Sequence, residues 1–361
     1  MDVHIIPGVK AKDVAEAHVK DVAFEHEYKC KCMTYWVDEN RENVFCLIEA
    51  PEQNVVEELH RQAHGLIPHK IIEVSNMLVE SFLGRTEDPA DAQISNGLKV
   101  FHEPSLRFLL VTKITDPVLL KHKYGDERAD EILRIHDHII RENLAAYNGR
   151  EASYSSGNFV ASFSSAAKAI ACAVAIQKSI VEKNITEVGF CLAINSGEPV
   201  AESNTLFGDT IQLAKRLCAV AKENQVAIAS NVKEFVSKDS YKDAGNNVLQ
   251  TLPADEILLS ALFDTLEEHY ADPDLNVADY CNKMAMSQSQ LYRKTMALFN
   301  LSPNELLREF RLEKALERMR KQRFNISEIT FDTGFTSPSY FTKCFKKKFG
   351  LLPMTYVDLS H

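Results

Sequence analysis

The clearest periodicity lies near the end of the chain. Phe341, Phe345 and Phe349 recur every four residues, the spacing of one helical face. They leave Ser339, Thr342, Lys343, Lys346 and Lys347 for the opposite side. Ser337 suits the N-cap of this helix and Pro338 its first position, while Gly350 ends it and Pro353 follows. Ser327 is expected to cap a short preceding helix through Asp332, closed by Gly334. The same arrangement stands earlier in the chain. Asn276 caps a helix over Val277–Met284, Ser287 caps a second one running to about Phe299, and Asn300 occupies a place where left-handed residues end helices. Leu291, Thr295 and Leu298 share one face of that second helix, so Gln288, Ser289, Gln290, Arg293 and Lys294 point outward. A long amphipathic helix over about Pro303–Lys321 joins the two units.

Two stretches, 84–104 and 239–254, mix Gly, Pro, Asp and Asn with few apolar positions and read as linkers. They divide the chain into about 1–83, 105–238 and 255–361. In the middle segment, strands at Arg107–Ile114, Val188–Ser196 and 225–230 alternate with helices at Asp130–Tyr147, Ala166–Val181 and 207–221, and a hairpin spans 151–163. This order implies an α/β or α+β sandwich. The first segment reads βαββαβ: Val3–Ile6, Lys12–Glu27, Lys29–Val37, Val44–Ala50, Glu52–His64 and Lys70–Val74. That order is ferredoxin-like. The whole is a multi-domain α+β chain with an all-α double helix-turn-helix domain at its end.

Charge changes the picture. The net charge of −10 argues weakly against a nucleic-acid partner. Between Lys283 and Lys348, however, stand 14 Lys/Arg and 6 Asp/Glu, a local +8 that leaves −18 for the remainder. A basic domain on acidic neighbours suits DNA binding. No apolar run approaches the ~20 residues of a membrane helix, and the first residues lack a leader pattern. The eight cysteines are scattered, as reduced thiols of a cytoplasmic protein would be.

A helix fits the major groove, where base edges present a distinguishable hydrogen-bonding pattern. Short polar side chains and Arg near the helix start can read those edges, and lysines further along suit phosphates. Two such helices on one rigid connector can enter successive grooves, ~34 Å apart, on double-stranded DNA. The segment GFTSPSYFTKCFKKKFGLLPMTY (334–356) resembles the signature of AraC-type regulators, and MSQSQLYRKTMALFNLSPNELLREFRLEKALERM (286–319) resembles that family's first unit and linker helix. By this resemblance the base-reading helices fall on Ser287–Lys294 and Ser337–Lys343. The candidate DNA-binding residues are Ser287, Gln288, Ser289, Gln290, Arg293, Lys294, Ser337, Pro338, Ser339, Tyr340, Lys343, Lys346 and Lys347. Asn300 stands where the family usually has Gly.

GREASYSSGNFVASF (149–163), INSGEPVAES (194–203) and FGDTIQLAKRL (207–217) resemble the class III nucleotidyl cyclase domain. That family holds two metal ions on two Asp residues. Here those positions carry Lys113 and Gly157, the purine-binding Lys position carries Ser153, and the Asn before the transition-state Arg is Gln212. Only Arg216 matches. The resemblance therefore implies a degenerate, cyclase-like α/β sandwich without catalysis, better suited to pairing in a homodimer than to holding a nucleotide. Asp116 is a rescue ligand only under a shifted alignment.

His60 and His64 lie four apart on one helix face, His18 stands on the other helix, and Cys30, Cys32 and Cys46 lie on strands. Imidazole and thiolate suit zinc, nickel or copper, though solvated His and core Cys explain the same pattern. CMTYWVDENRENVFCLIEAPEQNVVEELHRQAHGLIPHKIIEV (32–74) resembles a small ferredoxin-like family that includes nickel-binding proteins. This resemblance makes His18, His60 and His64 the candidate ligands for nickel or another divalent transition metal. The expected protein is a transcription regulator answering to a metal or small-molecule effector, with no catalytic residues. The competing expectation is a nucleotidyl cyclase fused to a DNA-binding domain.

Overall fold

The computed structural model describes residues 1–90, 92–95, 98–221, 224–237, 248–321 and 325–360. The chain begins with β1 (Asp2–Ile5), α1 (Ala11–Phe24), β2 (Lys31–Asp38), β3 (Asn43–Glu49), α2 (Gln53–Ala63) and β4 (Lys70–Ile71). The strands form an antiparallel sheet in the order β2–β3–β1–β4, as a ferredoxin-like βαββαβ unit requires. Helix α1 packs on both α2 and β2. Trp36, Phe45 and Leu47 turn inward from β2 and β3.

The 84–104 stretch is not a free linker. After α3 (Asn76–Leu83), β5 (Gln93–Ser95) and β6 (Leu98–Val100) pair as a small hairpin. Phe101 stacks on Tyr35 with ring centroids 4.2 Å apart. The Arg85 guanidinium lies 4.4 Å over the Trp36 ring and donates to the Tyr35 carbonyl at 2.6 Å. Polar composition suggested a loop, but one arginine and one aromatic ring fasten it to the first domain.

The middle domain comprises β7 (Arg107–Ile114), α4 (Pro117–Tyr124), α5 (Asp126–Ala146), β8 (Arg150–Ser155), β9 (Asn158–Phe163), α6 (Ala166–Glu182), β10 (Phe190–Gly197), α7 (Gly208–Val220), β11 (Val226–Ile228) and β12 (Val248–Gln250). Its mixed sheet runs β12–β11–β10–β7–β9–β8. The second expected linker is corrected in part. Residues 239–247 lie outside the described residues, but Val248–Gln250 adds a parallel edge strand through Val226↔Val248. Ser162 of β9 and Asn195 of β10 both oppose Leu109, so they share a face. Ser162 Oγ donates to the Phe82 carbonyl of α3 at 2.7 Å, and Asn195 Nδ2 to the Thr210 carbonyl of α7 at 3.0 Å. Helices α3 and α7 therefore lie on the same side of the sheet.

The last part is all helical: α8 (Pro253–His269), α9 (Val277–Lys283), α10 (Gln288–Phe299), α11 (Pro303–Lys321), α12 (Ile326–Asp332), α13 (Pro338–Phe349) and α14 (Pro353–Ser360). It has two cores. Leu258, Leu262, Leu291, Leu306 and Leu307 make one, and Leu312, Leu316, Met319, Phe341 and Phe345 make the other. Helix α11 gives one end to each core and so fixes the two units relative to one another.

Candidate DNA interface and metal-donor cluster

Each unit is a short helix, a tight turn and a longer helix, and local capping sets the geometry. Ser287 Oγ accepts from Gln290 N at 3.3 Å while Gln290 Oε1 accepts from Ser287 N at 3.0 Å, a reciprocal capping box. Ser337 Oγ accepts from Tyr340 N at 3.4 Å. Asn300 adopts φ +55°, the left-handed conformation expected of it. The cap of α12 is Asn325 rather than Ser327: its Oδ1 accepts from Ser327 N at 2.9 Å, and Glu328 returns to Asn325 N at 3.3 Å.

Among the candidate DNA-binding residues, Ser287, Gln288, Ser289, Gln290, Arg293, Lys294, Ser339, Tyr340, Lys343, Lys346 and Lys347 are exposed, and Ser337 and Pro338 half-exposed. Leu291, Thr295, Phe341 and Phe345 are buried behind them. Gln290 already uses its side-chain oxygen in the cap. Arg293 folds back onto the Ser289 carbonyl at 3.3 Å. Lys348 points inward, pairing with Glu309 and Glu313 at 2.9 Å each, and bolts α13 to α11. A groove lined by Gln288, Ser289, Tyr292, Arg293, Pro303 and Asn304 runs beside α10.

The N-terminal domain buries a cluster of ionisable groups. Asp2 and His4 come from β1, Cys46 from β3, Asp21 from α1, and His60 and His64 from the end of α2. His60 is fully buried between two carboxylates: Nε2 lies 2.9 Å from Asp2 Oδ2 and Nδ1 3.1 Å from Asp21 Oδ1. His64 Nε2 stands 3.1 Å from the same Asp21 oxygen. Burial alone would depress the His60 imidazole, but hydrogen bonds and charge from Asp2 and Asp21 lift it to about 9. Burial would raise both carboxyls, yet the histidines hold Asp2 below its ordinary value and Asp21 down to about 2. Burial dominates at His4, lowered to about 4, and at Cys46, raised well above an ordinary thiol.

Two groups of three donors result: Asp2, His4 and Cys46, and Asp21, His60 and His64, the atoms of each lying within 4.8 Å of one another. That spacing suits an ion ~2.0–2.3 Å from each donor, and the nitrogen, sulfur and carboxylate set suits nickel, zinc or copper. The structure thus gathers His60 and His64 but leaves His18 outside both groups. His18 lines the adjoining cavity of about 140 Å³, where burial lowers its imidazole, and its ring packs 5.3 Å from Tyr35. Cys30 and Cys32 pack instead around Leu59. Asp2, His4 and Asp21 went unseen in the sequence. Only Asp21 had a signal, and a faint one: it stands on α1 three residues after the candidate His18.

In the middle domain Lys113 is exposed at the first expected carboxylate position. Gly157 sits at φ +81° in the β8–β9 turn, where a side chain would meet Ile114. Ser153 and Gln212 are exposed. Arg216 is buried in an ion pair with Asp264 of α8. Asp116 caps α4, accepting from Val118 N at 2.9 Å, and is taken up by Tyr356 Oη at 3.0 Å.

Residues 280–358 match the family described as helix-turn-helix domain, and residues 1–74 the family of nickel responsive SCO4226-like proteins. Over 102 residues the chain is 37% identical to histidine kinase P4 of Formosa agariphila, covering 28% of this chain and 7% of that protein. Over 95 residues it is 27% identical to the HTH-type transcriptional activator RhaS of Escherichia coli O157:H7, covering 26% and 34%. The chain thus spans a small part of these curated relatives. Among solved structures, it is similar to adenylate cyclases of Trypanosoma brucei in their monomeric state, with a TM-score of 0.32, 16% identity, and coverage of 38% of this chain and 78% of that one. The C-terminal domain is an AraC-type helix-turn-helix domain, and the N-terminal domain is similar to the nickel responsive SCO4226-like proteins.

Proposed function

We propose that the chain is a cytoplasmic transcription regulator that reads paired sites on double-stranded DNA as a homodimer and changes its affinity when its N-terminal domain binds a divalent transition metal. The observation that carries this reading is the buried donor cluster of six side chains in the same chain as two exposed, basic recognition helices. His60 and His64 with Asp21, and His4 and Cys46 with Asp2, are the groups to hold the ion; His18 guards the cavity beside them. A bound metal supplies a positive charge among carboxylates that otherwise hold a proton on His60, so binding releases protons. The regulatory effect is a population shift: the ion favours one arrangement of the domains, and DNA affinity follows.

The test uses a duplex selected by the full-length protein from a random-sequence pool. Affinity is measured with Ni²⁺ and with a chelator. A difference of about fivefold or more supports the reading. Equal affinity in a protein shown to bind nickel overturns metal control, and a small-molecule effector then takes its place. No helix among the described residues is long and apolar enough to cross a membrane.

The rival, a cyclase fused to a DNA-binding domain, needs carboxylates where Lys113 and Gly157 stand and an Arg free to meet a triphosphate. Here Arg216 is committed to Asp264. Cyclic nucleotide formed from ATP or GTP with manganese would revive it.

A further inference from the structure

We propose that α7 is a coupling element, gripped at its start by the N-terminal domain and at its end by the DNA-binding domain, and that it carries the metal signal from one to the other. The idea rests on the metal-responsive reading above. It adds where the signal runs.

The first grip lies on the segment leading into α7. Lys70 Nζ of β4 donates to the carbonyls of Ala201, Glu202 and Ser203 at 2.8, 2.5 and 2.9 Å. Asn43 Nδ2 of β3 lies 2.9 and 2.8 Å from the two carboxylate oxygens of Glu198, and Arg41 Nε is 3.7 Å from the same group. Asn43 pairs with Ile5 and Lys70 with Val3, so both gripping residues flank β1, the strand that presents Asp2 and His4. A change in how β1 sits when those side chains take a metal is therefore felt directly by the segment. That segment is in turn fixed to the helix. Ser203 N donates to Asp209 Oδ2 at 2.9 Å and Phe207 N to the Pro199 carbonyl at 2.9 Å. Phe207 itself holds φ +56°, an uncommon conformation for an aromatic residue, with its ring buried 5.1 Å from Phe82.

The second grip lies two turns on. Arg216 pairs with Asp264, and its guanidinium lies 5.9 Å over the Phe263 ring. Phe263 packs 6.1 Å from Phe299 at the end of α10, the first recognition helix. The second unit is held elsewhere: Asp116 meets Tyr356 of α14 and Arg320 of α11, and Val118 and Leu119 of α4 pack on that unit's core. Helix α7 thus bears on the first unit while α4 bears on the second. A shift of α7 relative to α4 changes how the two recognition helices are presented, the geometry on which binding to successive grooves depends. The packed contact chain is an element that both sites can bias, which is the physical requirement for coupling.

The experiment uses full-length protein carrying Lys70→Met at the first grip or Asp264→Asn at the second. Asp264 is a largely exposed carboxylate, so its variant keeps the test alive should the other fold poorly. Hydrogen exchange of metal-free protein is read first. Lys70→Met should speed exchange in α7 and α8 by about tenfold, although the substitution lies in another domain. Unchanged exchange in both helices overturns the proposal. The affinity ratio for the selected duplex, Ni²⁺ against chelator, is read second. It should fall from about fivefold or more to below about twofold in each variant, with Ni²⁺ affinity unaltered. A ratio that persists in both variants also overturns it. A wild-type ratio of one ends metal control instead, and the exchange result still decides whether α7 couples the domains.

Discussion

Raising the pH on metal-free protein should weaken the N-terminal domain, because its core depends on a charged His60. The imidazole is fully buried and donates to Asp2 and Asp21 at 2.9 and 3.1 Å. Its pKa, about 9, lies above the ordinary 6.5. A group raised in this way contributes its full stability below pH 6.5 and loses it as the pH climbs to 9. At ~1.4 kcal/mol per unit the full contribution is on the order of 3 kcal/mol, of which about 2 is lost between about pH 6 and 8.5. His4, lowered to about 4, is neutral when folded but charges in the unfolded chain near pH 6, so it offsets up to about 1 kcal/mol of that loss and leaves the net sign set by His60, while Cys46 keeps its proton across the window. Asp21, depressed to about 2, contributes above the ordinary carboxylate range and weakens the domain only in acid. Trp36 is the one tryptophan of the chain and is wholly buried in this domain, so its fluorescence reports the local melt. The midpoint should drop by more than about 5 °C from pH 6 to 8.5. His60→Gln should already be destabilised at pH 6 and should lose most of the slope. A flat wild-type profile, or an unchanged slope in the variant, refutes the charged-histidine account.

Further outcomes follow from the helical domain. Arg293→Ala should cost ~1–3 kcal/mol on the selected duplex and relax sequence discrimination, whereas Lys346→Ala should weaken all duplexes alike and reduce the salt slope; equal, sequence-blind losses in gel-shift titrations would remove Arg293 from base reading. Gly334→Ala should destabilise the second unit by more than ~2 kcal/mol, since φ is +78° and the added carbon meets the Tyr270 carbonyl and the Arg311 guanidinium; Gly350→Ala, at φ +83° in open space, should cost only about 1 kcal/mol, and equal losses in thermal melts would discount the Tyr270 contact. Ser337→Ala should cost about 1 kcal/mol of stability through the lost cap on Tyr340 N, and a neutral melt would show that Pro338 suffices to start α13.

What could be read from the sequence was what neighbouring residues decide. The stripe of Phe341, Phe345 and Phe349, the Ser337-Pro338 start and the Pro303–Lys321 connector depend on spacing within one helix, and they stand as expected. The Asn325 cap was also legible, because Glu328 stands three residues on, but Ser327 is an equally good capping type and hid it. The donor cluster was legible only in part. His60 and His64 meet because they share a helix end, while Asp2, His4 and Asp21 join them only through the β1 register and the approach of α1. No periodicity encodes that approach. The 84–104 stretch failed for the same reason: its fastening depends on Trp36 and Tyr35, some fifty residues away in the chain.

In the middle domain, the charged positions that the resemblance to cyclases singles out are points of contact with the helical domain. A catalytic face must stay open and carry carboxylates that gather metal ions. Lys113 puts a cation there instead, and Glu313 of α11 answers it: burial would raise that carboxyl, but Lys348 and Lys113 hold it below its ordinary value. Arg216 would need to face a triphosphate, yet it faces Asp264. Asp116 would need to be free, yet Tyr356 and Arg320 hold it. Each position that the resemblance marks for nucleotide chemistry, and that still carries a charge, spends that charge on α8, α11 or α14. Isolated surface ion pairs contribute little, but two at separate points, Arg216–Asp264 and Arg320–Asp116, around apolar contacts from Phe263, Val118 and Leu119 specify one orientation more than they add stability. The coupling proposed for α7 needs that kind of contact, with a defined geometry and little excess stability, so that a modest binding energy elsewhere can shift it.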